Sequence, residues 1–276
     1  MIWFLLACTA TEGEPKKSVT DSHNAAAGDQ DTGPPPLPDI TATGAKPSLS
    51  AEEVANRIGA AWSTPPDPGE VIETYAHLMS MGDPECPGDP NNITDTWLYG
   101  CTSTTGYSYA GVSQLFFERI TSEGFAADLS GVSGDFWIDS ITGATLEGGG
   151  HSVLLREEGI WIAEMAGSWR WDEGSGWLAH GYSGNLWVEF IDHFAIKLRG
   201  AADILGTYVA AQNFVLSAYC DYGPAGKLSL RDPGGGWYDM EFVNCDPCTD
   251  VFFEDENIGN ACVDMSGFVE AMKARL

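Results

Sequence analysis

Residues 160–172 read Ile160-Trp161-Ile162-Ala163-Glu164-Met165-Ala166-Gly167-Ser168-Trp169-Arg170-Trp171-Asp172. The odd positions carry Trp161, Ala163, Met165, Gly167, Trp169 and Trp171. The even positions carry Glu164, Ala166, Ser168, Arg170 and Asp172. A helix would place its apolar residues three and four apart, whereas a period of two puts a dry face and a wetter face on one strand. The alternation recurs at Phe194, Ile196 and Leu198, at Leu228 and Leu230, and at Tyr238, Met240 and Phe242. Gly and Asp clusters separate the runs. The expected fold is therefore mainly β, an antiparallel sheet of meander or sandwich-like build.

A weak internal echo adds an alternative. Gly134, Gly167 and Gly226 each have apolar residues two and four places on, and each has a further glycine nine places on, at Gly143, Gly176 and Gly235. Three hairpins of similar build would give this pattern, as would a β-solenoid-like stack of hairpins, although the spacing is not a fixed period.

Upstream of the strands the period lengthens. Ser50-Ala51-Glu52-Glu53 is a capping-box pattern, and Val54, Ile58 and Trp62 follow at helical spacing, which predicts a helix over 51–61. After Pro65-Pro66-Asp67-Pro68-Gly69 a second helix is expected from about Glu70 to Met81, with Ile72, Tyr75, Leu78 and Met79 on one face. Residues 49–85 thus read as a helical N-terminal segment, and 86–276 as the β domain.

The chain opens Met1-Ile2-Trp3-Phe4-Leu5-Leu6-Ala7-Cys8. Leu5-Leu6-Ala7-Cys8 resembles a bacterial lipobox, with residues 1–7 as a short signal peptide and Cys8 as the lipidated residue. No basic residue precedes the apolar run, and the run is short; a start upstream of Met1 would account for both. Residues 9–48 are rich in Thr, Ala, Gly, Asp and Pro and hold few large apolar side chains, the composition of a disordered tether.

The whole chain has 40 Asp and Glu against 13 Lys and Arg, a net charge of −27. Such a chain is repelled by phosphate backbones, so nucleic acid is excluded as a partner. The tether holds six acids and three lysines, so almost all of the acidity belongs to residues 49–276. No stretch reaches the roughly 18 apolar residues that span a bilayer. The expected membrane partner is reached through a lipid on Cys8.

Six cysteines follow Cys8, an even number that argues for disulfides in an exported chain. Cys86 and Cys101 flank one polar loop and pair with each other. An antiparallel pairing of 226–231 with 237–243 returns Cys245 beside Cys220, leaving Cys248 for Cys262. The competing arrangement is a zinc site of Cys220, Cys245, Cys248 and Cys262. A redox-active Cys245-x-x-Cys248 is weaker, because the surrounding acids oppose thiolate formation.

Catalytic signatures are missing from the sequence. Gly181-Tyr182-Ser183-Gly184-Asn185 fails as a nucleophile elbow, because Asn185 stands where the second glycine is needed. There is no H-E-x-x-H and no phosphate-binding loop. Of the histidines His23, His77, His151, His180 and His193, the last two lie near strand ends where Asp172 or Asp192 would meet them; a hydrogen-bonded structural role is the default. With 40 acids, paired carboxylates for glycoside cleavage carry no signal of their own. Asp246, Asp250, Glu254, Asp255 and Glu256 offer oxygen ligands for calcium in one short segment, against the plainer reading of a solvated loop; no other metal or cofactor is expected. Trp161, Trp169, Trp171, Trp177 and Trp187 are candidate ligand-binding aromatics if exposed and core if buried. The strand alternation favours burial for the first three.

Several pieces together resemble a group of uncharacterised acidic lipoproteins of Gram-negative bacteria. They are the Leu5-Leu6-Ala7-Cys8 start, the polar arm, the helix pair ending in the stretch Tyr75 to Cys86-Pro87-Gly88, the Gly100-Cys101-Thr102…Gly106-Tyr107…Gly111 segment, and the closing Cys245-x-x-Cys248…Gly259…Cys262. The resemblance implies export, lipidation and a disulfide-stapled β domain, with Thr9 after the Cys fitting outer-membrane sorting. It carries no catalytic assignment. The expectation is a lipid-anchored cell-envelope protein, periplasmic or surface-facing, that is a non-enzymatic binding or structural module for a protein or glycan ligand. The alternative is an extracellular carbohydrate-active hydrolase using paired carboxylates.

Overall fold

The computed structural model describes residues 44–63, 67–87, 94–122, 125–140, 143–173, 180–191 and 194–274. Cys8, most of the tether, Trp177, Asp192 and His193 lie outside them. Twelve strands form one sheet: β1 (Thr94–Thr102), β2 (Tyr107–Ser122), β3 (Phe125–Ser140), β4 (Ala144–Glu157), β5 (Ile160–Glu173), β6 (His180–Ile191), β7 (Ala195–Ile204), β8 (Thr207–Ser217), β9 (Gly223–Arg231), β10 (Trp237–Phe242), β11 (Cys248–Phe253) and β12 (Glu256–Cys262). Each pairs antiparallel with its neighbour in sequence, and the sheet is not closed. The fold is a single meander rather than a sandwich or a stack of hairpins.

The period of two read in residues 160–172 runs across the sheet. Val132, Ser152, Met165, Leu186, Gly200, Ala211, Leu228, Met240 and Val251 stand opposite one another in successive strands. All lie on one buried face, which we call the inner face. The adjacent inner row holds Gly134, Gly150, Gly167 and Gly184, again opposite one another. At Gly167 φ is +97°, and a Cβ there would sit 1.9 Å from the Gly149 carbonyl oxygen, so only glycine fits. The sequence echo at Gly134 and Gly167 belongs to this row. Gly226 repeats the left-handed backbone in β9, and Gly143 and Gly235 lie in the turns that follow. The echo is thus a kink followed by a turn, repeated within one sheet.

Helices cover the inner face. α1 (Ala51–Trp62) has the expected capping box, with both Ser50–Glu53 bonds formed. α2 (Pro68–Ser80) starts two residues earlier than expected. Asp67 caps it, accepting from the Gly69 N–H at 2.8 Å, and Pro68 occupies the first turn, where its missing N–H costs nothing. A third helix, α3 (Ser266–Lys273), was not expected; it buries Phe268, Val269 and Met272. α2 packs on β3, β4 and β5, and α1 on β8, β9, β11 and β12. Tyr75 meets Phe136 edge-on at 5.3 Å, and its hydroxyl lies 2.6 Å from that of Ser113. Trp62 meets Phe268 at 6.1 Å, joining α1 to α3. Among the described residues no helix is long and apolar enough to cross a membrane.

Three disulfides staple the fold in the expected pairing: Cys86–Cys101, Cys220–Cys245 and Cys248–Cys262. These bonds replace the tetrathiolate zinc arrangement. Cys248 and Cys262 are direct cross-strand partners, and Phe242 returns opposite Gly226 as the Cys220–Cys245 pairing requires. The bridges mark the folded part as a resident of an oxidising, non-cytoplasmic compartment.

A buried polar node fixes the point where the N-terminal segment joins the sheet. The Asp232 carboxylate, 2 % exposed, accepts from the hydroxyls of Ser48 and Tyr238 and from the Gly234 N–H. Tyr238 Oη in turn accepts from the N–H groups of Ser48 and Leu49 at 2.7 and 2.9 Å. Burial works against the Asp232 charge, but the hydrogen bonds outweigh it and hold the carboxyl below its usual range.

Candidate functional site

With the inner face closed by helices, the outer face is where a ligand can reach the sheet. There the strands carry Trp137 and Asp135 on β3, Glu147 and Gly149 on β4, and Ser168 and Arg170 on β5. Trp137 pairs with Glu147, and Glu147 with Arg170; Asp135 pairs with Gly149, and Gly149 with Ser168. Around these residues, excluding Arg170, lies a depression of about 500 Å³. Its floor is backbone, because Gly111, Gly148 and Gly149 contribute no side chains. Trp137 is 37 % exposed. Asp135 and Glu147 are exposed beside it. They are diagonal neighbours on adjacent strands, a relation that sets their Cα atoms about 7–8 Å apart.

The sequence carried a signal for Trp137 that the apolar alternation masked. Phe136 and Ile138 are the in-facing residues of that strand, both at most 4 % exposed, so Trp137 between them must face out. The expected aromatics fare differently. Trp161, Trp169 and Trp171 are at most 3 % exposed on the inner face and present no stacking surface. Trp187 is half-buried on the outer face between Glu164 and Arg199 in register. The outer face also holds polar pairs: His151 Nε2 to Glu164 at 3.0 Å, Lys197 to Glu189 at 2.8 Å and Lys227 to Asp239 at 2.8 Å.

No protein-family model, curated protein or solved structure matches this chain.

Two further cavities flank the sheet. One, of about 620 Å³, lies between the two C-terminal disulfides and α3, where Lys273 sits over the Tyr222 ring at 4.4 Å. The other, of about 420 Å³, gathers Glu70, Glu73 and His77 from α2 with Asp172 from the end of β5. The suggested meeting of Asp172 with His180 falls on a side chain outside the described set. Among the described residues no three His, Cys, Asp or Glu side chains converge to hold a metal ion. In the calcium candidate the acids are dispersed: Asp246 accepts from the Cys248 N–H, Asp250 from the Asn260 side-chain amide, and Glu254 from the Gly44 N–H.

Two buried phenols act as core hydrogen-bond donors. Tyr109 donates to the Leu78 carbonyl at 2.8 Å, and burial followed by the nearby Tyr107 and Asp83 pushes it up to about 12. Tyr182 donates to the Met165 carbonyl at 2.8 Å, and burial raises it well above its usual value. Both stay protonated at neutral pH, and neither reaches the outer depression.

Proposed function

We propose that this protein is a lipid-anchored module of the cell envelope, held at the outer membrane through Cys8, and that it acts by binding a ligand on the uncovered face of its sheet. The observation that carries the binding part is the division of the sheet into a helix-covered face and an open face with Trp137 over a glycine floor. The lipobox-like start and the polar arm support the anchor, and the three disulfides fit the exported location. Four long paired strands, β2 to β5, support the depression, which favours a preorganised binding surface. The test is intact-mass analysis of the protein purified from its host without reductant. A chain beginning at Cys8 with a diacyl or triacyl mass, and six hydrogens missing from the thiols, supports the reading. An unprocessed chain with free thiols overturns it.

A second reading, an extracellular carbohydrate-active hydrolase, draws on Asp135 and Glu147. They stand on one face of adjacent strands, the placement a pair of acid and base carboxylates needs. The open depression favours binding over hydrolysis, since no described element closes over it to exclude bulk water. Release of reducing ends from a polysaccharide, abolished by Glu147→Gln, would reverse that preference.

A further inference from the structure

We infer that the depression around Trp137 holds a neutral saccharide, with one sugar ring laid on the indole and its hydroxyls bonded to Asp135 and Glu147. This rests on the open sheet face being the binding surface, and adds the class of ligand.

A pyranose ring has an apolar C–H face and a rim of hydroxyl donors, and both meet a counterpart here. The part-exposed indole of Trp137 offers a flat apolar surface, with Ala110 beside it on one strand and Glu147 on the other. Asp135 lies two residues along the same strand, and Glu147 lies directly across from Trp137. The carboxylates therefore border the ring on two sides, each able to accept hydroxyl hydrogen bonds strengthened by its charge. Ser168 adds a hydroxyl from the next strand beyond Gly149.

Gly149 gives the ligand its room. A Cβ at that position would meet nothing nearer than the Ser168 carbonyl oxygen at 3.8 Å, so its missing side chain leaves space on the outer surface. Gly148 beside it faces the core, where a Cβ would strike Phe136 and Trp169 at 2.6 Å. A volume of about 500 Å³ accommodates a small ligand without rearrangement.

Charge selects among ligands. A chain of net charge −27 repels polyanionic polymers, and the two acids of the depression add to that locally. Charge thereby excludes polyanions, and the indole face together with the hydroxyl-accepting carboxylates points to a ligand with apolar C–H faces and many hydroxyls.

The test is native affinity electrophoresis of the full disulfide-bonded chain in gels containing neutral polysaccharides (a β-1,3-glucan, a β-1,4-glucan and a galactomannan), with pectate as the polyanionic control. At least one neutral polymer is expected to retard the wild type, and pectate is not. Trp137→Ala removes the stacking surface, and Gly149→Val fills the floor without touching the core. Each is expected to weaken retardation about tenfold, Gly149→Val with an unchanged melting temperature and Trp137→Ala with a still-folded chain that melts a few degrees lower because the packed part of the indole is lost. Retardation by none of the neutral polymers, or equally by pectate, overturns the saccharide assignment. Retardation that survives both substitutions overturns the site. None of these results bears on the anchor and export reading, which the mass of the native protein decides separately.

Discussion

Gly148 and Gly149 are adjacent in β4 and face opposite sides of the sheet, one into the core against Phe136 and Trp169 and the other into open space. The same substitution at the two positions therefore has different consequences. At Gly148 an added methyl overpacks two rings that are at most 4 % exposed, which costs about 1–3 kcal/mol. At Gly149 it meets ordinary contact distances, and the change stays within about 0.5 kcal/mol. Thermal melts of Gly148→Ala and Gly149→Ala check this. Equal melting temperatures would mean that the inner and outer faces are misassigned.

That pair also shows what the sequence made legible. The two-residue period in 160–172 identified strands and assigned Trp161, Trp169 and Trp171 to one dry face. It could not choose between a meander and a sandwich, because both bury alternate residues and differ only in which strands pair. The cysteine pairing was legible because the hairpin of 226–231 with 237–243 set a register that Cys220 and Cys245 had to obey. α3 escaped notice because its eight residues span little more than two turns and no side chain caps its start. The early start of α2 was hidden by Pro68, which reads as a helix breaker in isolation and as a first-turn residue once Asp67 is recognised as the cap. The depression was not legible as a site, since it needs Asp135, Glu147 and Ser168 from three strands to converge.

The disulfides make separable contributions. Cys86–Cys101 closes a loop with a sequence separation of 15, and its stabilisation, through restriction of the unfolded chain, is about 3 kcal/mol. The Cys86→Ser/Cys101→Ser double variant is expected to melt about 6–12 °C lower than the wild type. Asp83 shares the load in this region. Its carboxylate accepts from the Thr104 N–H and hydroxyl and from the Cys86 N–H, and these bonds hold its pKa below the usual range. Calorimetry of the double variant checks the figure, and an unchanged melting temperature would show that these side-chain bonds suffice without the bridge.

The Asp232 node makes stability depend on acidity in a defined direction. Its carboxyl is held below the ordinary 3.8, against the opposing effect of burial, by the hydrogen bonds from Ser48, Tyr238 and Gly234. The folded state therefore binds a proton less readily than the unfolded state. The contribution is complete above about pH 4 and is lost as the pH falls through the lowered value. Asp232→Asn abolishes this titration and leaves the amide facing hydroxyl and N–H donors. Denaturant melts between pH 3 and pH 7 are expected to show a shallower acid decline for Asp232→Asn than for the wild type, from a lower plateau. Parallel acid limbs would remove Asp232 from the account.

Tyr238 reports on the same node from the alkaline side and on the attachment of the N-terminal segment. Burial, then its bond to Asp232, raises the phenol above its usual 10.0, so the folded state keeps the proton that the unfolded state releases first. Its contribution is full below about pH 10 and falls as the pH rises through the raised value. Tyr238→Phe removes the oxygen that receives the N–H groups of Ser48 and Leu49, and deprives Asp232 of a donor. The Ser48 N–H keeps the Asp232 carboxylate at 3.2 Å, so the groups that lose a partner are the half-buried Leu49 N–H and the buried Asp232 carboxylate, at a cost of about 1–3 kcal/mol. The loss is concentrated where the chain enters α1, so residues 44–50 should detach before the sheet does. Limited proteolysis is expected to cut Tyr238→Phe within that segment at protease levels that leave the wild type intact there. Identical cleavage of the two proteins would show that packing of α1, rather than the Tyr238 hydroxyl, holds the entry segment in place.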